Sequence, residues 1–220
     1  MRVIIAGGHG KIALRLEQLL SDRGDEPVGL IRNPQHRDDL EKVGARAVVC
    51  DLETASVDEV VQHVTGADAV VFAAGAGPGS GAARKETVDK DAAILLADAA
   101  EAAGVRRYVM ISAMGVDAEP PGDVDPVFAA YLKAKGAADA NLRSRTDLDW
   151  TIIRPGRLTD DPGTGRVALH EATGYGKVPR DDVAAVILTV LDSPALAGKT
   201  LELISGIDDV IEAVQQATTR

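Results

Sequence analysis

A short apolar run, Val3-Ile4-Ile5, leads straight into Gly7, Gly8 and Gly10. An apolar pattern of helical spacing follows at Ile12, Leu14, Leu16, Leu19 and Leu20. This order reads as a buried strand, a glycine turn and a helix. Glycine serves where the backbone turns tightly or left-handed, and where a side chain would block a close ligand. A helix N-terminus offers unpaired N–H groups and a partial positive charge, which suit a pyrophosphate. A glycine turn alone says little. Its place between the first strand and the first helix is what makes it informative.

The rest of the chain keeps the same alternation. Strands are expected at Pro27–Ile31, Ala45–Val49, Ala69–Phe72, Arg107–Ser112, Trp150–Arg154 and Thr200–Ile204. Helices are expected at Ser56–Val64, with capping-box spacing from Ser56 to Glu59, and at Thr87–Ala103, Val127–Ser144, Asp181–Leu191 and Ile207–Thr218. Gly156–Pro179 reads as mostly irregular, with a short strand at Arg166–Leu169. Strict alternation favours an α/β fold: a doubly wound parallel sheet of Rossmann type with helices on both faces. There is no internal repeat and no linker, so residues 1–220 are expected to form one domain, with 156–180 as a substrate-side region.

Composition narrows the partners. Aromatic residues are 3% of the chain, so the core must be built from Val, Ile, Leu and Ala. The net charge of −10 argues against nucleic acid. The one cysteine, Cys50, excludes an intrachain disulfide and a cysteine-rich zinc site, and no metal site is expected. No leader precedes the first strand and no apolar stretch is long enough for a bilayer, so a cytoplasmic protein without a membrane partner is expected. The helices at Thr87–Ala103 and Val127–Ser144 could pair across a homodimer or simply cover the sheet of a monomer.

Parallel sheets of this kind bind ligands at the carboxyl ends of their strands. The first strand ends in Gly7-Gly8-His9-Gly10-Lys11-Ile12-Ala13, with alanine where a third glycine often sits. The second ends in Arg32-Asn33, where an NAD-preferring site would place an acidic residue for the ribose diol. A guanidinium there suits a 2′-phosphate, and so NADP over NAD; a plain surface arginine is the alternative. The third ends in Asp51-Leu52, a carboxylate that can accept from an adenine amino group beside an apolar contact for the ring. The fourth ends in Ala73-Ala74-Gly75, small enough for a cofactor to approach the backbone. The fifth ends in Ser112. Tyr131 and Lys135 then share one helix face at i and i+4, an arrangement in which an ammonium would lower the phenol's pKa.

Together these features, with Leu148-Asp149-Trp150-Thr151-Ile152-Ile153-Arg154-Pro155-Gly156 and Pro179-Arg180-Asp181-Asp182-Val183-Ala184, resemble the short-chain dehydrogenase/reductase superfamily. The likeness is to its atypical NAD(P)H-binding group, called NAD-dependent epimerase/dehydratase-like or biliverdin-reductase-B-like. It covers essentially the whole chain. It implies that Gly7, Gly10 and Ile12 line the pyrophosphate and that Arg32 meets the 2′-phosphate, with Gly8, Lys11 and Asn33 also at the cofactor. It places Asp51 and Leu52 at adenine, and Ala73, Ala74 and Gly75 beside the ribose. Lys135 would bind the nicotinamide ribose, and Pro155 and Gly156 would border the nicotinamide. Tyr131 would be the acid/base and Ser112 its partner; only one hydroxyl stands in that strand motif, since Ala113 and Met114 follow.

The expected activity is hydride transfer between NADP(H), or NAD(H), and a small carbonyl, quinone or flavin-like acceptor. A non-catalytic, cofactor-dependent redox sensor is the second reading. Sugar-nucleotide epimerisation or dehydration ranks last, because Gly156–Pro179 is short for a sugar-binding domain. The substrate is expected to meet the loops Gly75–Ala83, Asp117–Pro126 and Gly156–Pro179.

Overall fold

A computed structural model describes residues 1–77, 79–119 and 124–219. The expected substrate loops at Gly75–Ala83 and Asp117–Pro126 therefore fall partly outside the described residues. Strand β1 (Arg2–Ala6) is followed by α1 (Lys11–Asp22), β2 (Glu26–Ile31), α2 (Arg37–Lys42), β3 (Arg46–Val49), α3 (Val57–Val64) and β4 (Ala69–Phe72). Then come the single turn α4 (Ala82–Arg84), a π-helical stretch Lys85–Asp91 and α5 (Ala92–Ala102). Next are β5 (Arg107–Ile111), α6 (Pro126–Arg143), β6 (Asp149–Pro155), β7 (Arg157–Thr159), β8 (Arg166–His170) and β9 (Lys177–Pro179). The chain closes with α7 (Arg180–Leu191), β10 (Lys199–Ser205), β11 (Asp208–Asp209) and α8 (Val210–Thr219).

The main sheet runs β11-β8-β10-β6-β5-β4-β1-β2-β3. From β10 to β3 every neighbour is parallel, while β8 runs antiparallel to β10 and β11. The chain winds from β1 outward to β3, then returns to β4 on the other side of β1. The carboxyl ends of β1 and β4 thus form the point where the winding reverses, and a crevice opens there.

Alternation along β1 sorts its side chains to two cores. Val3 and Ile5 pack with Leu16, Leu20, Val183 and Ile187 under α1 and α7. Ile4 and Ala6 pack with Val28, Leu96, Tyr108 and Ile152 under α3, α5 and α6. The alanines of α5 are spent on this second core: Ala92, Ala93, Ala97, Ala99 and Ala100 are all buried there.

Several segments differ from the sequence reading, among them the short helix α2, which was not expected. The helix expected from Thr87 begins earlier, at Ala82, and enters α5 through the π-helical stretch. In Gly156–Pro179 the expected short strand is present as β8, but two further strands were not expected: β7 and β9, which pair in a small parallel sheet. The segment expected to be a helix from Ile207 first makes β11, and the helix starts at Val210. The Ser56 cap is present, its Oγ accepting from Glu59 N at 3.2 Å. Among the described residues no helix is long and apolar enough to cross a membrane.

Candidate functional site

Gly7 sits at φ +79°, a conformation that L side chains rarely adopt. A Cβ there would also lie 2.6 Å from Ala74 Cα, so the turn after β1 is pressed against the end of β4. Gly10 closes the turn by donating its N–H to Gly7 O at 2.7 Å and stands as N-cap of α1 in extended conformation. No side chain caps α1 and no acidic residue lies in its first turn. The helix end therefore keeps its N–H groups and positive field for an outside anion. Gly8 faces elsewhere: its Cβ would meet Gly29 Cα at 2.7 Å, so it serves the packing of the turn on β2. Ile12 is buried in the core rather than in the crevice. Lys11 turns its ammonium to Asp160 at 2.5 Å, and Arg180 holds the other oxygen of that carboxylate at 2.7 Å.

The crevice is a cavity of about 260 Å³. Gly7, Gly10, Ala73, Ala74 and Gly75 form one wall, and Arg32, Asp51 and Leu52 line the far end. Two further residues join them that the sequence reading missed, Glu53 and Arg84. Glu53 accepts from Arg32 at 3.1 Å, from Arg84 at 2.7 Å and from the Thr87 hydroxyl at 2.7 Å. The Arg84 bond, with Thr87 and Arg32 assisting, holds the Glu53 carboxyl below its ordinary range despite burial. Local sequence gives no signal for this group, since Arg84 reaches the end of β3 from beyond the glycine-rich loop. Asp51 uses one oxygen to accept from Glu53 N at 3.1 Å, which turns the chain after β3. Asn33 is likewise occupied, accepting from Gln35 N at 3.0 Å. At the rim, His9 stacks on His36 with ring centroids 3.6 Å apart. Burial, then the Glu59 and Asp51 charges, push the Cys50 thiol in the cavity wall up to about 11.

Ser112, Tyr131, Lys135, Pro155 and Gly156 do not line this cavity. Ser112 and Lys135 belong to a buried polar group at the ends of β4, β5 and β6, with Tyr131 packed against it. Lys135 Nζ donates to Ile111 O at 3.1 Å and Ala74 O at 3.3 Å, and lies 3.5 Å from Asp89 Oδ1. Asp89 comes from the π-helical stretch and accepts from Ala76 N at 3.2 Å. Lys85, one helical turn earlier, donates to Gly77 O at 2.9 Å and stands 5.4 Å from the centre of the Tyr131 ring. Among the described residues the Ser112 hydroxyl completes no hydrogen bond of normal geometry, nor does Asp139 Oδ1, although the hydroxyl helps stabilise that carboxylate. Arg154 bridges Asp139 at 2.7 Å and Asp117 at 2.6 Å. Burial raises Asp139, whereas Arg154 and Arg143 hold Asp117 down to about 2.

One electrostatic expectation is corrected here. Tyr131 is pushed up, not down: burial is the main cause, and the Asp89 and Asp139 charges add to it. The Lys135 ammonium, itself lowered by burial, is engaged by Asp89 instead of activating the phenol. Gly156, at the end of β6, is packed so closely that a Cβ would lie 2.4 Å from Gly176 O.

Residues 7–194 match the sequence profile of the NAD(P)H-binding family. The uncharacterized sugar epimerase YhfK of Bacillus subtilis is 34% identical over 217 residues, covering 98% of this chain and all of that protein. A solved structure from Bacillus halodurans, provisionally named an NAD-dependent epimerase/dehydratase, is 36% identical. It superposes with a TM-score of 0.89 over 98% of this chain and 99% of its own. The oxidoreductase ylbE from Lactococcus lactis is 26% identical, with a TM-score of 0.86 over 100% of this chain and 98% of that one.

Proposed function

Because the chain belongs to the NAD(P)H-binding family, we propose that it is an NADP-preferring oxidoreductase that reduces a small carbonyl, quinone or flavin-like acceptor. The observation that carries the reading is the cavity itself. It runs from an uncapped helix N-terminus, past a glycine with no room for a Cβ, to two guanidinium groups.

The residues fit that cofactor. Gly7 and Gly10 leave space for the pyrophosphate at the start of α1, and the small side chains of Ala73, Ala74 and Gly75 let the ribose reach the backbone. Leu52 would give the adenine an apolar contact, and the second oxygen of Asp51 would accept from its amino group. Arg32 and Arg84, both paired with Glu53 in the free protein, would hold the 2′-phosphate. When bound, the reduced nicotinamide supplies a hydride. Tyr131 then acts as an acid: a phenol held protonated by burial gives its proton to the acceptor oxygen and regains one from solvent. Ser112, whose hydroxyl has no hydrogen-bond partner among the described residues, orients that oxygen. Lys135 fixes the ends of β4 and β5 beside the ribose through the Ala74 and Ile111 carbonyls. The name of the Lactococcus lactis relative agrees with this reading.

Titration with NADPH and NADH, followed by nicotinamide fluorescence, tests it. Tighter binding of NADPH, then oxidation of NADPH by at least one member of an acceptor panel, is expected. Tighter NADH binding overturns the NADP preference, and binding of neither overturns the whole reading. A second reading, a cofactor-dependent sensor, draws support from Lys135, which is buried and committed to Asp89 rather than free at the cavity. NADPH binding with no turnover across the panel would favour it.

A further inference from the structure

Where β3 ends, Cys50 in the cavity wall meets two side chains of α3, a group that the nucleotide reading does not use. Glu59 and His63 are four residues apart on α3 and so share one helix face. Cys50 follows β3, its backbone N–H held by Ile31 O at 2.9 Å. One donor atom from each of Cys50, Glu59 and His63 lies within 4.8 Å of the other two. Both supporting elements are fixed. Ser56 caps the start of α3, and the His63 carbonyl accepts from Arg2 at 3.2 Å near its end.

We propose that Cys50, Glu59 and His63 bind one borderline-soft divalent cation, zinc(II) or cobalt(II), with solvent in the fourth position. Three observations support this. First, nothing else claims the donors: among the described residues the Cys50 thiol, the Glu59 carboxylate and the His63 ring have no hydrogen-bond or ion-pair partner. For a thiol only 3% exposed, the lack of a partner is the more notable. Second, the donor types select the ion. Sulfur and imidazole favour zinc or cobalt over magnesium or calcium, and three protein ligands with one open position is a common zinc arrangement. Third, the site has an entrance, because Glu59 is exposed, His63 half-buried and only Cys50 buried. Zinc–ligand bonds of about 2.0–2.3 Å require the donors to close by roughly an ångström, within reach of the exposed Glu59 side chain. A single cysteine excludes a cysteine-rich zinc site but not this mixed one.

The test uses the full chain stripped with a chelator, then titrated with cobalt(II) and competed with zinc(II). One cobalt per chain is expected, with a thiolate-to-cobalt charge-transfer band and the visible bands of four-coordinate cobalt, both lost as zinc displaces it. Cys50→Ser should abolish the charge-transfer band and weaken cobalt binding by more than the roughly 100-fold that loss of an outer-shell partner costs. His63→Ala should weaken it comparably with the thiol in place, so the proposal stays testable if Cys50→Ser unfolds. His9→Ala, which removes the stacked histidine pair, should leave affinity and spectrum unchanged. Absence of stoichiometric binding, absence of the thiolate band, wild-type affinity in both site variants, or loss of binding in His9→Ala would each overturn the proposal.

Discussion

Lys135 Nζ stands 3.5 Å from Asp89 Oδ1, and the two side chains are only 5% and 1% exposed. They join α6 to the π-helical stretch before α5, and through the Ala74, Ile111 and Ala76 backbones they tie both to the ends of β4 and β5. A buried ion pair of this kind contributes little beyond an apolar pair, but half of it is costly to leave behind. Asp89→Ala should destabilise the protein by about 3–5 kcal/mol in urea unfolding, because it strands the ammonium. The double variant Asp89→Leu with Lys135→Met should recover most of that loss. If the double variant is as unstable as the single one, the pair is not what makes Asp89 necessary.

Tyr131 beside this pair is raised by burial and by the Asp89 and Asp139 charges, which suits it to donate a proton but not to accept one. Tyr131→Phe should lower NADPH-dependent reduction by roughly 100-fold or more, the usual worth of a positioned acid, while NADPH affinity stays within about twofold. Equal turnover in both proteins would remove the phenol from the mechanism.

The fold was legible because periodicity reports burial, and burial decides which face of each strand and helix meets a core. Val3, Ile4 and Ile5 announce a strand buried on both faces, and the alanines of α5 announce a helix lying close to a sheet. The glycine turn was legible for the same local reason. What could not be read were relationships made by distant segments. Arg84 meets Glu53 only because the chain returns from the glycine-rich loop to the end of β3. Tyr131 and Lys135 were correctly placed on one helix, yet burial, with Asp89 arriving on a π-helical stretch beside them, reverses the electrostatics expected of them. In Gly156–Pro179 the strand β8 was legible, whereas β7 and β9, three residues each and paired only with one another, left no strong pattern.

Arg32 is 55% exposed on its side chain and shares Glu53 with Arg84. In the free protein its bond to Glu53 is a surface ion pair that contributes little to stability. Arg32→Ala should therefore leave the unfolding midpoint nearly unchanged but weaken NADPH binding by about 10–100-fold, as expected for loss of a charge-assisted bond to phosphate. NADH affinity should stay nearly constant. Isothermal titration of both nucleotides checks this, and an equal loss for the two would show that Arg32 does not read the 2′-phosphate.

Glu17 bears on stability and not on chemistry. It lies on the buried face of α1, one turn after Ala13, where its residue type would suggest solvent. Its carboxyl sits beneath the glycine turn: Oε1 lies 3.0 Å from where a Gly8 Cβ would be and 2.5 Å from the same point on Gly29. Among the described residues neither oxygen has a hydrogen-bond partner, and burial raises the group to about 9 from 4.5. The folded protein thus keeps a proton between those two values that the unfolded chain releases. Stability must fall as pH rises through that window, by up to about 1.4 kcal/mol per pH unit. The contribution is fully present below the lower value and lost through the upper one. Glu17→Met keeps the length of the side chain and removes both orphaned oxygens. It should stabilise the protein at pH 7 by about 3 kcal/mol relative to its effect near pH 4.5, and its unfolding free energy should vary less steeply between pH 5 and pH 8. Urea unfolding of the two proteins across that range decides the matter: parallel pH profiles would mean that Glu17 does not carry the buried proton.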